Sequence, residues 1–417
     1  MEEAEAVEDV DRTIYILGTG SIGKLVAYAL KGGINHMVPP VTLLLHRPSL
    51  LEEFEKNNRS ITMTTNDVEE TKSGFDLQLA LPERQDPGKP HFVGLNTDKF
   101  SHRAGNDTIS NLVVTVKAHQ TVSALRSVRH RLTPSSTICF LQNGMGIIEE
   151  VNDKVYPDPA ERPQYMMGIN SHGVHQLSNT SAVHAGHGVI SLSLVRSFDE
   201  ASGEEHAGGM ADSRASASSS DLERSPKRNP TIASQDSRPI PPSAHYLLDQ
   251  LTRPPVLAAA TIAPSQLLLT QLEKLAVNCV INPLTVMLDA RNGDLLANFA
   301  LTRTMRLLLA EICTVFQALP ELRGVPGIQT RLSPQRLEAM AVTVARKTGA
   351  NISSMLADAR RGVQTEIDYI NGYVVRRGEE LGIKCVTNYM LTQMVIGKQQ
   401  LISREIENYT PVRHMSS

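Results

Sequence analysis

The chain has 417 residues, with 41 Lys and Arg against 44 Asp and Glu, a formal charge of −3, 41% hydrophobic and 20% charged residues. That balance describes a globular protein of roughly two or three domains and excludes the broad basic surface that binding to nucleic acid or to an anionic membrane requires. No run of about 18 apolar residues could cross a bilayer, and the acidic start Met-Glu-Glu-Ala has neither a signal-peptide core nor the arginines of a transit peptide, so a cytoplasmic location is expected.

In chain order, Thr13 to Leu17 is a short β-branched, apolar run. It leads into Gly18-Thr19-Gly20-Ser21-Ile22-Gly23 and a helix-compatible stretch to about Lys31, and a second apolar run follows at Val41 to Leu45. That is strand, helix, strand. Runs at Leu112 to Val116, Thr137 to Leu141, Tyr165 to Ile169 and Gly188 to Leu194 continue the series as interior strands of a mostly parallel sheet. Gly74 to Asn106, rich in Pro, Asp, Lys and Asn, reads as a long loop. Phe198 to Ser243 shifts to Ser, Ala, Gly, Glu, Arg and Pro, and it reads as a disordered insertion that cannot bury enough apolar surface to offset its ordering entropy. Within it, Arg224-Ser225-Pro226-Lys227-Arg228 is expected to be a solvated charge run rather than a signal. From Gln266 onward the pattern becomes helical: Gln266 to Asp289, Leu295 to Ala318, Ser333 to Thr348, Ile352 to Arg361, Glu366 to Leu381 and Asn388 to Ile406. The four cysteines, Cys139, Cys279, Cys313 and Cys385, are far apart and read as buried side chains. With no Trp and 4% aromatic residues, the cores must be aliphatic.

Gly18-x-Gly20-x-x-Gly23 is a weak pattern alone, but here it follows a strand and opens a helix. Gly18 permits the tight turn, Gly20 admits a pyrophosphate to the backbone, and Gly23 lets the helix pack closely. The helix N-terminus, with Thr19, Ser21 and Ile22, would supply N–H groups to the phosphates. The expected fold is therefore an α/β Rossmann-type dinucleotide-binding domain, residues 12–265 with the insertion at about 198–243, followed by an all-α helical domain at 266–410. A ligand is expected in the cleft between them. The second strand ends in Leu45-His46-Arg47, where an NAD site would usually carry an acid. Arg47 can instead form a bidentate contact with a 2′-phosphate, which favours NADPH, and Lys117 offers a second phosphate-side contact.

Lys274, Asn278 and Asn282 stand at i, i+4 and i+8 of an otherwise apolar helix. Buried asparagines are costly without partners, so a ligand-facing stripe is the better account of them than a solvent face. A lysine held in a partly dry cleft can have a lowered pKa and act as a proton donor to a keto oxygen. Asn351, Ser353, Ser354, Thr365 and Glu366 lie at helix starts, where capping competes with ligand contact. His172-x-x-His175 and His184-x-x-His187 fall on loop and strand edges, where i and i+3 share no face; hydrogen-bonding histidines are expected there and no metal.

These residues resemble the ketopantoate reductase (2-dehydropantoate 2-reductase) family. The likeness rests on Ile16-Leu-Gly-Thr-Gly-Ser-Ile-Gly23, Gln142-Asn143-Gly144-Met145-Gly146 with Glu149 and Glu150, the run Lys274 to Thr285 reaching Asn292-Gly293, Asn351 to Met355, and Thr365 to Gly372. It extends from Arg12 to Glu405, leaving out the insertion and the loop from about Gly74. The resemblance implies NADPH-dependent reduction of 2-dehydropantoate to (R)-pantoate, with Lys274 as the catalytic general acid. Asn143 would lie between nicotinamide and substrate. Asn278, Asn282, Asn292 and Ser354, with Asn351 beside them, would hold the substrate; Glu366 would meet a cofactor or substrate hydroxyl; Arg47 and Lys117 would take the adenosine phosphate. The partner implied is a small 2-keto acid, and a homodimer is left as an open expectation. Two other readings stand beside it. A reductase of another 2-keto acid would keep Lys274 and the glycine turn. A non-catalytic dinucleotide sensor would have lost Lys274 or Glu366, which are present.

Overall fold

The computed structural model describes residues 11–32, 38–81, 105, 107–195 and 239–408. The opening strand is β1 (Ile14–Leu17), and after the glycine-rich turn come α1 (Ser21–Leu30), β2 (Val41–Leu45) and α2 (Pro48–Lys56). Every residue of β1 and β2 is buried, as a strand covered on both faces requires. β1 shows how the two faces divide. Ile14 and Ile16 join one apolar cluster, with Leu25 of α1, and Tyr15 and Leu17 join another, with Phe140.

The chain continues through β3 (Ile61–Thr65), β4 (Val68–Lys72), β5 (Asp76–Leu79), β6 (Asn111–Val114), α3 (Thr121–Arg126), β7 (Thr137–Phe140) and α4 (Ile147–Lys154). Then follow β8 (Gln164–Asn170), β9 (Gly173–Gln176), β10 (Ser181–Gly186), β11 (Ile190–Leu194), α5 (Pro242–Thr252) and β12 (Ala259–Thr261). Eight strands form one sheet in the order β12-β11-β8-β7-β6-β1-β2-β5, parallel throughout except for the antiparallel pair β8 and β11. The mostly parallel sheet read from the sequence is thus present. Within it β1 lies between β2 and β6, which puts the glycine-rich turn and the end of β6 side by side.

Three expectations are corrected. The stretch read as a loop from Gly74 to Asn106 contains β5, which pairs in parallel with β2 and closes that edge of the sheet; residues 82–104 and 106 lie outside the described residues. The insertion read as disordered as far as Ser243 includes described structure at its end. Pro242 is the first residue of α5, and Ser243, 3% exposed, shares a hydrogen bond of 2.7 Å with Thr137. Residues 196–238, including the charge run around Arg224, lie outside the described residues. A second sheet of four strands, β4-β3-β10-β9, was not anticipated. Val68-Glu-Glu-Thr-Lys72 shows no apolar alternation and is almost wholly exposed, so only its ladder with β3 makes it a strand.

The helical half comprises α6 (Pro264–Leu288), α7 (Phe299–Ala318), α8 (Ile328–Arg331), α9 (Pro334–Lys347), α10 (Ser354–Arg360), α11 (Asn371–Glu380) and α12 (Val386–Asn408). Two of the predicted helices are broken at their starts. Asn292–Ala297 is a 3-10 turn, and α7 begins only after Asn298, whose side chain accepts from the Ala300 N–H at 2.9 Å. Ile367–Tyr369 is likewise a separate turn before α11. Inside α6, Pro283 has no N–H to give to the Cys279 carbonyl, and the helix nonetheless continues. Asn371, fully buried on α11, donates to that carbonyl at 2.9 Å in its place. All four cysteines are buried and unpaired.

Candidate active site

Three glycines shape the turn after β1. Gly18 has φ +108°, and a Cβ on it would stand 2.7 Å from the Val116 nitrogen; a Cβ on Gly23 would stand 1.9 Å from the Gly18 oxygen. Nothing lies within 4 Å of the corresponding point on Gly20, so the backbone there is open to an approaching group. Thr115 Oγ1 donates to the Gly18 oxygen at 2.6 Å and fixes the turn to the end of β6. Thr19, Ser21 and Ile22 are partly exposed around it. α1 starts with no side-chain cap and no acid in its first turn, so its first N–H groups are left for an external acceptor. This cradle fits the pyrophosphate of a dinucleotide: side chains at Gly18 or Gly23 would fill the space that the close packing of turn and helix requires.

Arg47 is the exposed N-cap of α2, at the end of β2. Lys117 was expected on the same phosphate side, and the structure gives its ammonium partners in the helical half. Its ammonium pairs with Asp358 of α10 at 2.6 Å and lies 3.6 Å from Glu366, so it ties the end of the sheet to the helical half. Burial pulls the Lys117 pKa down, but the two carboxylates outweigh it and leave the pKa above the ordinary lysine value.

Lys274 on α6 is half-buried and donates to Asn143 Oδ1 at 3.0 Å and to the Asn170 carbonyl at 2.7 Å. Burial lowers its pKa to about 8, against the raising effect of Glu366. Asn143 bridges the two groups, since its Nδ2 lies 3.5 Å from Glu366 Oε2. Glu366, 5% exposed, also accepts from the Ala118 N–H at 3.1 Å. Residues from β6, β7, β8, α6 and the turn before α11 thus meet at one point. Beside them is a small cavity of about 20 Å³ lined by Gln142, Asn143, Gly168, Gln271, Lys274 and Asn278, with Gly144, Ile169 and Leu275 completing it.

The structure therefore brings Asn143, Lys274 and Asn278 into one cavity, with Glu366 behind. It does not bring the other predicted substrate residues there. Asn282 is buried one turn beyond Asn278 and does not line the cavity. Asn292 donates its side-chain amide to Thr348 Oγ1 at 2.9 Å and its N–H to the Asn351 carbonyl at 3.0 Å, and its buried Oδ1 has no partner among the described residues. Asn351 and Ser354 are exposed; Ser353 is the cap of α10, its Oγ accepting from Leu356 N–H at 3.0 Å. Four participants were missed. Gln271 could have been found, because it continues the Lys274 stripe three residues upstream. Gln142 stood in a quoted motif with no role attached. Asn170 acts through a backbone carbonyl and Asp358 through a contact across 241 residues, and neither leaves a local signal. Of the four histidines, two are hydrogen-bonded through their rings: His172 Nδ1 and His184 Nε2 are 3.0 Å apart, both buried, and His172 Nε2 meets the Leu257 carbonyl at 2.9 Å.

The sequence matches two family descriptions, Ketopantoate reductase PanE/ApbA over residues 14–197 and Ketopantoate reductase PanE/ApbA C terminal over 266–399. It is 29% identical to a probable 2-dehydropantoate 2-reductase of Schizosaccharomyces pombe over 94% of this chain and 97% of that one. A ketoisovalerate reductase of Beauveria bassiana is 24% identical, covering 91% of this chain and 80% of the relative. Among solved structures, a probable 2-dehydropantoate 2-reductase from Bacillus subtilis superposes with a TM-score of 0.58 at 24% identity, over 93% of this chain and 99% of that one. D-mandelate dehydrogenase with NADH and anilino(oxo)acetate superposes with a TM-score of 0.64 at 17% identity, over 94% and 99%. Among the described residues no helix is long and apolar enough to cross a membrane. A Rossmann-like mixed sheet followed by helices, and sequence matches over both, show that the chain is an oxidoreductase belonging to the ketopantoate reductase PanE/ApbA family.

Proposed function

We propose that the protein reduces 2-dehydropantoate to (R)-pantoate with NADPH, in the cytoplasm, on the way to pantothenate and coenzyme A. The observation that carries this reading is the Lys274 ammonium: two of its three N–H groups are held by Asn143 Oδ1 and the Asn170 carbonyl, and the third is left for the cavity. When bound, the dihydronicotinamide supplies the hydride that adds to the keto carbon. As the C=O π pair moves onto oxygen, Lys274 donates its proton there and is left as the neutral amine. A pKa of about 8 suits that donation near neutral pH. Asn143 fixes the direction of the ammonium, and Glu366 holds Asn143 from behind. Asn278, Gln142 and Gln271 offer polar contacts to the substrate. The roles of Asn282, Asn292, Asn351 and Ser354 rest on the resemblance. The glycine turn would hold the pyrophosphate, and Arg47, with no acid beside it at the end of β2, supports NADPH over NADH.

The second reading is another 2-keto acid on the same site. It draws support from the ketoisovalerate reductase among the relatives and from the absence of Asn282, Asn292 and Ser354 from the cavity lining. A panel of 2-keto acids assayed with NADPH and NADH tests both. Fastest turnover of 2-dehydropantoate with NADPH is expected. Turnover of a different keto acid alone moves the assignment to the second reading, and a preference for NADH removes the role given to Arg47.

A further inference from the structure

Lys24, the fourth residue of α1, has no exposed surface, and its ammonium donates to the Thr19 carbonyl at 2.8 Å. Lysines on a helix ordinarily run their stems along the surface and keep the charge in water. Among the described residues this ammonium has that single hydrogen-bond acceptor, so two of its three N–H groups are without one. The charged group acting on it is Glu53 of α2, which is itself held by Asn179 at 2.6 Å. Burial nevertheless dominates and brings the Lys24 pKa down to about 8. A cation near a helix N-terminus also opposes the helix dipole, and α1 has no acid in its first turn to offset it. The sequence thus concentrates positive potential beneath the turn at a cost to the stability of the unliganded protein.

The Thr19 carbonyl explains what that arrangement can do. In a trans peptide the C=O and the following N–H point in opposite directions. With the Thr19 oxygen drawn inward to Lys24, the Gly20 N–H is turned the other way, on a residue whose Cβ position has nothing within 4 Å. We propose that Lys24 is a positioning residue for the dinucleotide: its buried ammonium orients the Thr19–Gly20 peptide and supplies positive charge to the pyrophosphate without touching it. This rests on the reading of the turn as a pyrophosphate cradle and extends it to a residue outside the glycine pattern. It also implies linkage. The ammonium is charged below about pH 8, an arriving pyrophosphate favours the charged form, and binding above that pH therefore takes up a proton. Because the pyrophosphate is common to NADPH and NADH, Lys24 acts on both alike.

The test is direct binding of NADPH and NADH, followed by fluorescence from pH 6.5 to 9.5. It is run in the Lys274→Ala background, so that the other lysine titrating near pH 8 is absent. With Lys24 present, affinity should weaken as pH rises through about 8. Lys24→Met, similar in length and uncharged, should bind both cofactors about tenfold more weakly below pH 8 and lose the pH dependence. Calorimetry of NADPH binding at pH 8.5, in buffers of different ionisation enthalpy, should show proton uptake with Lys24 present; this readout needs no Lys24 variant to fold. Equal affinity and an unchanged pH profile in Lys24→Met, or no proton uptake with Lys24 present, overturns the role of Lys24 and leaves the cradle standing. Weakening confined to NADPH overturns the pyrophosphate as its target. No binding of either dinucleotide to the protein with Lys24 intact overturns the cradle itself, and the proposal with it.

Discussion

Lys24 and Lys274 both have an ammonium pKa brought from 10.5 to about 8, and in both the leading cause is burial. Their surroundings differ. Lys24 has no exposed surface and one backbone acceptor, within its own turn; Lys274 is half-buried, held by two acceptors more than a hundred residues away in sequence, and opens onto the cavity. A depressed lysine pKa therefore does not by itself mark a proton donor. On the roles proposed for the two, access to a space that a substrate can enter is what separates a proton donor from a fixed charge.

That contrast can be broken most sharply at Lys274. Lys274→Ala should lower kcat by about 10²- to 10⁴-fold while the Kd for cofactor, read by fluorescence, stays within about twofold. Unchanged kcat would remove the acid role. Next comes Glu366→Gln, which keeps the side-chain shape but removes the charge beneath Asn143. A loss of about 10- to 100-fold in kcat/KM is expected. The same variant sharpens the assignment through pH. In the wild type kcat/KM should decline above about pH 8 as Lys274 loses its proton; Glu366 raises that pKa, so its neutralisation should move the decline to lower pH. A limb that stays in place would detach Glu366 from Lys274. Smallest is Asn298→Ala, which removes the cap of α7 far from the cavity. It should lower stability by about 1 kcal/mol in denaturant titration and leave kcat unchanged.

Features set by neighbours in sequence could be read before the structure. Gly18, Gly20 and Gly23 act within six residues of chain, and Lys274 with Asn278 share a face through helical period alone. What escaped was set by partners far away. β4 is a strand because of β3, and its own Glu-Glu-Thr carries no such pattern. Lys117 could be placed at a strand end from the sequence, but its ion pairs with Asp358 and Glu366, which come from the helical half, could not be read there. Asn292 gives its amide to Thr348 and its N–H to the Asn351 carbonyl, contacts more than fifty residues away that leave no local signal. A polar side chain in an apolar context signals only that some partner exists. The fold decides whether that partner is a ligand or another part of the chain.

Pro283 gives α6 a property that its length conceals. The carbonyl of Cys279, which Pro283 leaves without its helical donor, is met by Asn371 reaching in from α11. The same helix carries Lys274 and Asn278 before the proline and, after it, Thr285, which binds Ser353 of the α10 cap at 2.7 Å. A residue nearly ninety positions downstream of Pro283 thus completes the backbone bonding of the helix that brings a lysine to the cavity.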